Sequence, residues 1–227
     1  MGAPSTQWSM VLRAGAGSAR ALQQLCGLYW DPAYTYLRRR GLGPQDAREQ
    51  TQAFFEGLLR RDDLARLTRD GGRFRSWLLV ALRRHHGRGL AAAQAAKRAH
   101  TEVADPEPVL ARETDDGLDP EQAYQRQWAL SLLGAARRRV REAYAERGRE
   151  AHFDALFPTL SGDGATTAEI AEQLGMKAGA VRVAAHRLGR RYGEAVREEV
   201  ADTLEEGASL DEELAELMAA VGGEAPI

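Results

Sequence analysis

At 227 residues, 44% apolar and 28% charged, the chain is long enough for one large domain or two small ones, and its wealth of Ala, Leu, Arg, Glu and Gln with almost no β-branched runs predicts an all-α fold. A single cysteine, Cys26, excludes an internal disulfide; no apolar run approaches the roughly 20 residues needed to span a bilayer; and the start, MGAPSTQWSM, lacks a basic segment followed by a hydrophobic one, so a reducing, cytoplasmic setting away from membranes is expected. The net charge of −2 hides an asymmetry: residues 194 to 227 hold eleven acids against one base, a net −10, which leaves +8 on residues 1 to 193 and suggests a polyanion-binding body with an acidic tail.

Residues 1 to about 19 read as a short helix and a turn. Leu22, Leu25, Cys26, Tyr29 and Trp30 then recur at helical spacing, Pro32 interrupts, and Tyr34, Tyr36 and Leu37 continue to Arg38-Arg39-Arg40. Gly41 and Gly43 end this segment, and a new helix starts at Pro44, a favoured first-turn residue. Ala47, Thr51, Phe54, Phe55, Leu58 and Leu59 form its inner stripe, with Asp46, Glu49, Gln50, Gln52 and Glu56 opposite.

The next helix opens at Gly72-Arg73, with Phe74, Trp77, Leu78, Ala81, Leu82 and His85 on one face. No acid occurs from Gly71 to Thr101, where seven bases and three of the five histidines lie. Arg73, Arg83 and Arg84 project away from the apolar stripe, a distribution suited to phosphate neutralisation but equally that of a solvated helix face. Gly87 and Gly89 interrupt this helix. Residues 101 to 120 hold three prolines, seven acids and one base, and read as an acidic linker.

Beyond it, Glu121 to Glu146 reads as one long helix, followed by a short one around Phe153, Leu156, Phe157 and Leu160 and a turn at SGDG. Thr166 to Leu174 is a short helix capped by Thr166 or Thr167. Gly175 supplies the left-handed turn, and Lys177 to about Arg191 forms a second helix with Val181, Ala184, Ala185, Leu188 and Tyr192 inward. Its outer face carries Lys177, Arg182, His186, Arg187 and Arg190, and no acid lies between Glu172 and Glu194. Ala171, Gly175 and Val181 stand at the small–turn–apolar spacing of a DNA-binding helix-turn-helix. A plain helical hairpin with a basic face has the same pattern. The tail from 201 to 227 contains one amphipathic helix, Ser209 to Val221, with a capping box from Ser209 to Glu212.

In this order the elements resemble the extracytoplasmic-function sigma factors of bacterial RNA polymerase over nearly the whole chain. DAREQTQAFFEGLLRR (46 to 61) is similar to the family's clamp-binding helix; GRFRSWLLVALRRHHGRGLAAAQAAKR (72 to 98) resembles the helix that recognises and melts the minus-ten element; and TTAEIAEQLGMKAGAVRVAAHRLGRRYGEAVREE (166 to 199) resembles the domain that reads the minus-thirty-five element. The resemblance implies a region-two-like domain over 1–100, a linker over 101–120, a region-four-like helix-turn-helix domain over 121–200 and an acidic extension over 201–227. It implies contact with the clamp helices of the largest subunit through Asp46, Glu49, Gln52 and Phe55, the last being equally readable as core. It implies minus-ten contacts by Arg73, Arg75, Trp77, Arg83, Arg84 and Arg88, although spacing turns Trp77 inward. It implies minus-thirty-five contacts by Lys177, Arg182, His186, Arg187, Arg190 and Arg191. The implied partners are RNA polymerase core and promoter DNA, with an anti-sigma factor or the acidic tail as regulator.

No cofactor, metal or catalytic residue is expected. His85 and His86 are adjacent and point in different directions on a helix, and the glycine-rich phosphate-binding signatures do not occur. The rival reading is a sigma-like helix-turn-helix protein that binds DNA or another protein without driving initiation.

Overall fold

Ser18 opens the first helix because its hydroxyl accepts from the Ala21 amide, filling one of the donors a helix start leaves unpaired. In the computed structural model, residues 14, 18–60, 64, 73–99, 117–204 and 208–222 are described. Every regular element among them is helical: α1 Ala19–Arg39, α2 Pro44–Arg60, α3 Phe74–Ala99, α4 Pro120–Ala145, α5 Glu150–Leu156, a 3₁₀ turn Phe157–Leu160, α6 Thr167–Gln173, α7 Ala178–Ala201 and α8 Leu210–Ala220. The all-α expectation therefore holds for the described residues. None of these helices is long and apolar enough to cross a membrane. The helix and turn expected within residues 1 to 19 fall almost wholly outside the described residues.

Two expected breaks are absent. Pro32 lies inside a continuous α1. Proline removes one amide donor from the ladder, but Leu28, Tyr29, Pro32, Ala33, Tyr36 and Leu37 are all buried around it, so tertiary packing holds the helix through the defect. Gly87 and Gly89 likewise leave α3 unbroken to Ala99. Each costs roughly 1 kcal/mol relative to Ala, and the alanine-rich stretch after them favours continuation.

The chain divides into two compact units. The first comprises Met1–Trp128 with Asp202–Ala208; the second comprises Ala129–Ala201 with Ser209–Ile227. The division falls within α4, after Trp128. Residues 101–116 of the expected acidic linker lie outside the described residues.

In the first unit α1 packs on α2 and α3. Leu25, Tyr29, Ala33, Tyr36 and Leu37 of α1 meet the buried faces of α2 (Ala47, Phe54, Leu58) and α3 (Phe74, Leu78, Leu82). Tyr29 meets Phe74 edge-on at 5.2 Å. The start of α4 completes this core: Ala123, Tyr124 and Trp128 are buried, and the Tyr124 hydroxyl donates to the Arg75 carbonyl at 3.2 Å. Arg39 reaches the Leu118 carbonyl, and Arg83 pairs with Glu121 at 3.6 Å. These ties explain why Pro120–Trp128 belong with the first unit.

In the second unit Leu132, Ala136, Val140 and Tyr144 of α4 share a core with Phe153, Leu156, Ile170, Val181, Leu188, Tyr192, Val196 and Val200. An aromatic chain runs Tyr144–Phe153–Phe157–Tyr192 with centroid spacings of 5.0–5.8 Å. Tyr192 donates its hydroxyl to the Leu133 carbonyl, and burial pushes its pKa up to about 12. α7 runs to Ala201, past its expected end near Arg191, because Ala195, Val196 and Val200 extend its buried stripe. The tail helix α8 packs on α7 through buried Leu217 and an Arg197–Asp211 ion pair at 3.1 Å. Ser209 caps it by accepting from the Glu212 amide.

Candidate functional site

The α6–α7 pair is set by its caps. The Thr166 hydroxyl accepts from the Glu169 amide, while the Glu169 carboxylate accepts from the Thr166 amide at 2.7 Å and the Thr166 hydroxyl at 2.8 Å. Thr166, not Thr167, is therefore the cap. Gly175 ends α6 at φ 63°, with its amide donating to the Glu172 carbonyl and the Met176 amide to the Ala171 carbonyl at 2.8 Å. This two-bond closure requires a left-handed residue, which glycine adopts without the steric cost of a Cβ. α7 then starts at Ala178, with Ile170, Val181 and Leu188 buried beneath it.

Thr166→Ala should cost about 1 kcal/mol of unfolding free energy, as lost caps do, measured by urea denaturation. The backbone bond to Thr166 first, and its hydroxyl second, hold the Glu169 carboxyl below its usual 4.5. A lowered carboxyl stabilises fully above pH 4.5, and the contribution is lost as pH falls through the lowered value. Glu169→Gln should remove that part of the acid dependence, and an unaltered acid transition would contradict it.

What this frame presents outward is cationic. Lys177, Arg182, His186, Arg187, Arg190 and Arg191 are all exposed. Their surroundings differ. Arg190 pairs with Glu194 at 3.3 Å, and Arg191 lies over the Tyr144 ring at 5.6 Å. Elsewhere in the second unit, Arg139 pairs with Glu198 and Glu199, Arg141 with Glu150 and Asp154, and Arg197 with Asp211. Lys177, Arg182 and Arg187 have no ion-pair partner among the described residues. The second unit thus pairs Arg139, Arg141, Arg190 and Arg197 with its own acids and, among the described residues, leaves Lys177, Arg182 and Arg187 unpaired on the first half of α7. The expected outer set omits Gly179 and Val183, which the same 3.6-residue period places on that face and which are exposed there.

In the first unit the expected residues separate. Asp46, Glu49 and Gln52 are exposed on one stripe of α2, where Gln45 donates to Glu49 and Gln52 to Glu56. Phe55 is not part of that surface. It is buried, stacked on Trp30 at 5.8 Å and edge-on to Phe54, and so supports α2 from behind.

On α3, Arg83, Arg84 and Arg88 are exposed and Arg73 is half-buried. Arg84 and Arg88 have no ion-pair partner among the described residues. Arg75 is the clear departure. It is only 5% exposed, with its guanidinium over the Trp128 ring at 4.2 Å. Its position one residue after Phe74 turns it toward α4, which sequence spacing along α3 alone does not reveal. Trp77 is half-buried and stacked on Phe74 at 5.6 Å, inward as its spacing implied.

His85 meets Phe54 edge-on, and His86 is buried, with its pKa lowered first by desolvation and then by the Arg40 charge. Among the described residues no three His, Cys, Asp or Glu side chains gather as a metal site would require. Comparison of the chain with protein-family models, with curated proteins and with solved structures finds no match in any of the three.

Proposed function

We propose that this chain is an alternative sigma factor that binds RNA polymerase core and directs promoter-specific initiation, with no covalent chemistry of its own. The observation that carries the proposal is the uncompensated cationic face of α7, set on a capped two-helix frame with a Gly175 turn. That frame fits a helix-turn-helix whose second helix enters a major groove, with Lys177, Arg182 and Arg187 meeting phosphates and base edges. Arg84 and Arg88, with Arg73 and Arg83, form the second DNA contact, at the minus-ten element. Arg75 and Trp77 act from within the fold, as support for that helix. Asp46, Glu49 and Gln52 are the polymerase-facing residues.

The acidic tail or an anti-sigma factor would regulate such a protein. α8 leaves Arg182 and Arg187 exposed, so restraint by this tail helix acts through its field and not by covering them.

Co-purification with bacterial RNA polymerase core tests the proposal. Wild type should bind stoichiometrically, and a variant with Asp46→Arg and Gln52→Ala should lose at least tenfold in affinity. Both positions are exposed, so the fold should be unaffected. Absence of binding by wild type would reject the sigma reading in favour of a sigma-like DNA-binding regulator.

A further inference from the structure

Two residues on the outer stripe of α7 are not accounted for by folding. Val183 is 50% exposed, the most exposed of the large apolar side chains on the described surface. A β-branched residue on a helix surface restricts χ1 and forms helix less well than the alanines around it. Gly179 lies one turn earlier on the same stripe. A Cβ built there meets nothing within 4 Å, so no neighbour in the fold demands glycine. Single exposed apolar residues are ordinary on protein surfaces. What matters for this one is its place: the outer stripe of the second helix of the proposed helix-turn-helix frame, with Arg182 beside it and His186 and Arg187 one turn on. Residues that weaken a helix and gain nothing from the fold tend to mark places where function was favoured over stability.

A duplex offers one apolar group in its major groove, the C5-methyl of thymine. A helix carrying Arg182 and Arg187 toward phosphates would bring the side chain between them down to the base edges. A residue without a side chain one turn earlier would let the backbone approach closely. Resting on the DNA-binding reading above, we infer that Val183 is a specificity-determining residue that contacts a thymine methyl, with Gly179 providing clearance for the helix to enter the groove. The duplex it selects contains an A·T pair at a fixed position, read through that methyl group.

The test uses the full chain and a random-sequence duplex pool. The enriched duplex should contain a fixed thymine. Replacing it with deoxyuridine, which removes only the methyl, should weaken wild-type binding about fourfold, the effect of one buried CH₂ group. Val183→Ala should bind the thymine duplex about fourfold more weakly and respond little to the same replacement, which a merely structural role for Val183 would not produce. Gly179→Leu should lose at least tenfold in binding while its melting temperature does not fall, since the added side chain meets open space in the free protein. If no duplex is enriched, the DNA-binding reading fails and the inference with it. An enriched duplex indifferent to the loss of every thymine methyl, or equally sensitive in Val183→Ala, overturns the inference alone.

Discussion

Replacing Arg182 and Arg187 together by alanine should weaken duplex binding roughly 60-fold at 0.1 M salt and lower the slope of log affinity against log salt by about 2, on the counterion-release scale of about 0.9 per phosphate contact. Both side chains are exposed and have no ion-pair partner among the described residues, so their removal breaks nothing in the fold. The change in unfolding free energy should stay within about 0.5 kcal/mol. Arg139→Ala is the internal control. That arginine is paired with Glu198 and Glu199, so its charge is already neutralised within the unit, and its loss should change binding little. Anisotropy of a labelled duplex titrated at several salt concentrations measures both quantities. An unchanged slope in the double variant would remove α7 as the contact surface.

Trp128→Ala should destabilise the first unit by about 3–5 kcal/mol, the range for emptying a buried tryptophan site. Trp128 is 1% exposed and lies under the Arg75 guanidinium, so its removal leaves both a cavity and a buried cation without its ring. Arg75→Met should behave differently. It keeps most of the side-chain volume and leaves no cavity of that size, so it should cost less stability than Trp128→Ala. DNA binding should survive Arg75→Met as well, because a residue inside the core offers no phosphate contact. Thermal and urea unfolding of the two variants, with anisotropy on Arg75→Met, separates these outcomes. A large loss of binding in a well-folded Arg75→Met would return that arginine to the DNA-facing set.

The two predictions differ in how much of their basis was legible in the chain. Thr166, Gly175 and the basic stretch from Lys177 to Arg191 were readable because capping, left-handed turns and helical periodicity act within a few residues. The same locality made α2 readable, with Asp46, Glu49 and Gln52 outward, and placed Ser209 at the start of α8.

Long-range packing decided the rest. Pro32, Gly87 and Gly89 are local signals of interruption, overridden where the buried face of α1 and the helix-forming stretch of α3 outweigh their cost. Arg75 shares a charge with Arg83 and Arg84, yet only Trp128, fifty-three residues on, determines that it is buried while they are exposed. The acidic stretch looked like a boundary because composition marks linkers. Residues 101–116 of it lie outside the described residues, and only distant contacts of Leu118, Glu121 and Tyr124 show that the start of α4 belongs with the first unit. Which cations remain uncompensated also depended on distant acids: Glu198, Glu199 and Asp211 neutralise arginines that composition alone would have counted toward a polyanion surface. Sequence by itself determined the caps, the Gly175 turn and the outward face of α7, because capping, turn geometry and the 3.6-residue period all act within a few residues. Only the tertiary structure decided which charges face solvent alone, because that depends on side chains brought together across dozens of residues.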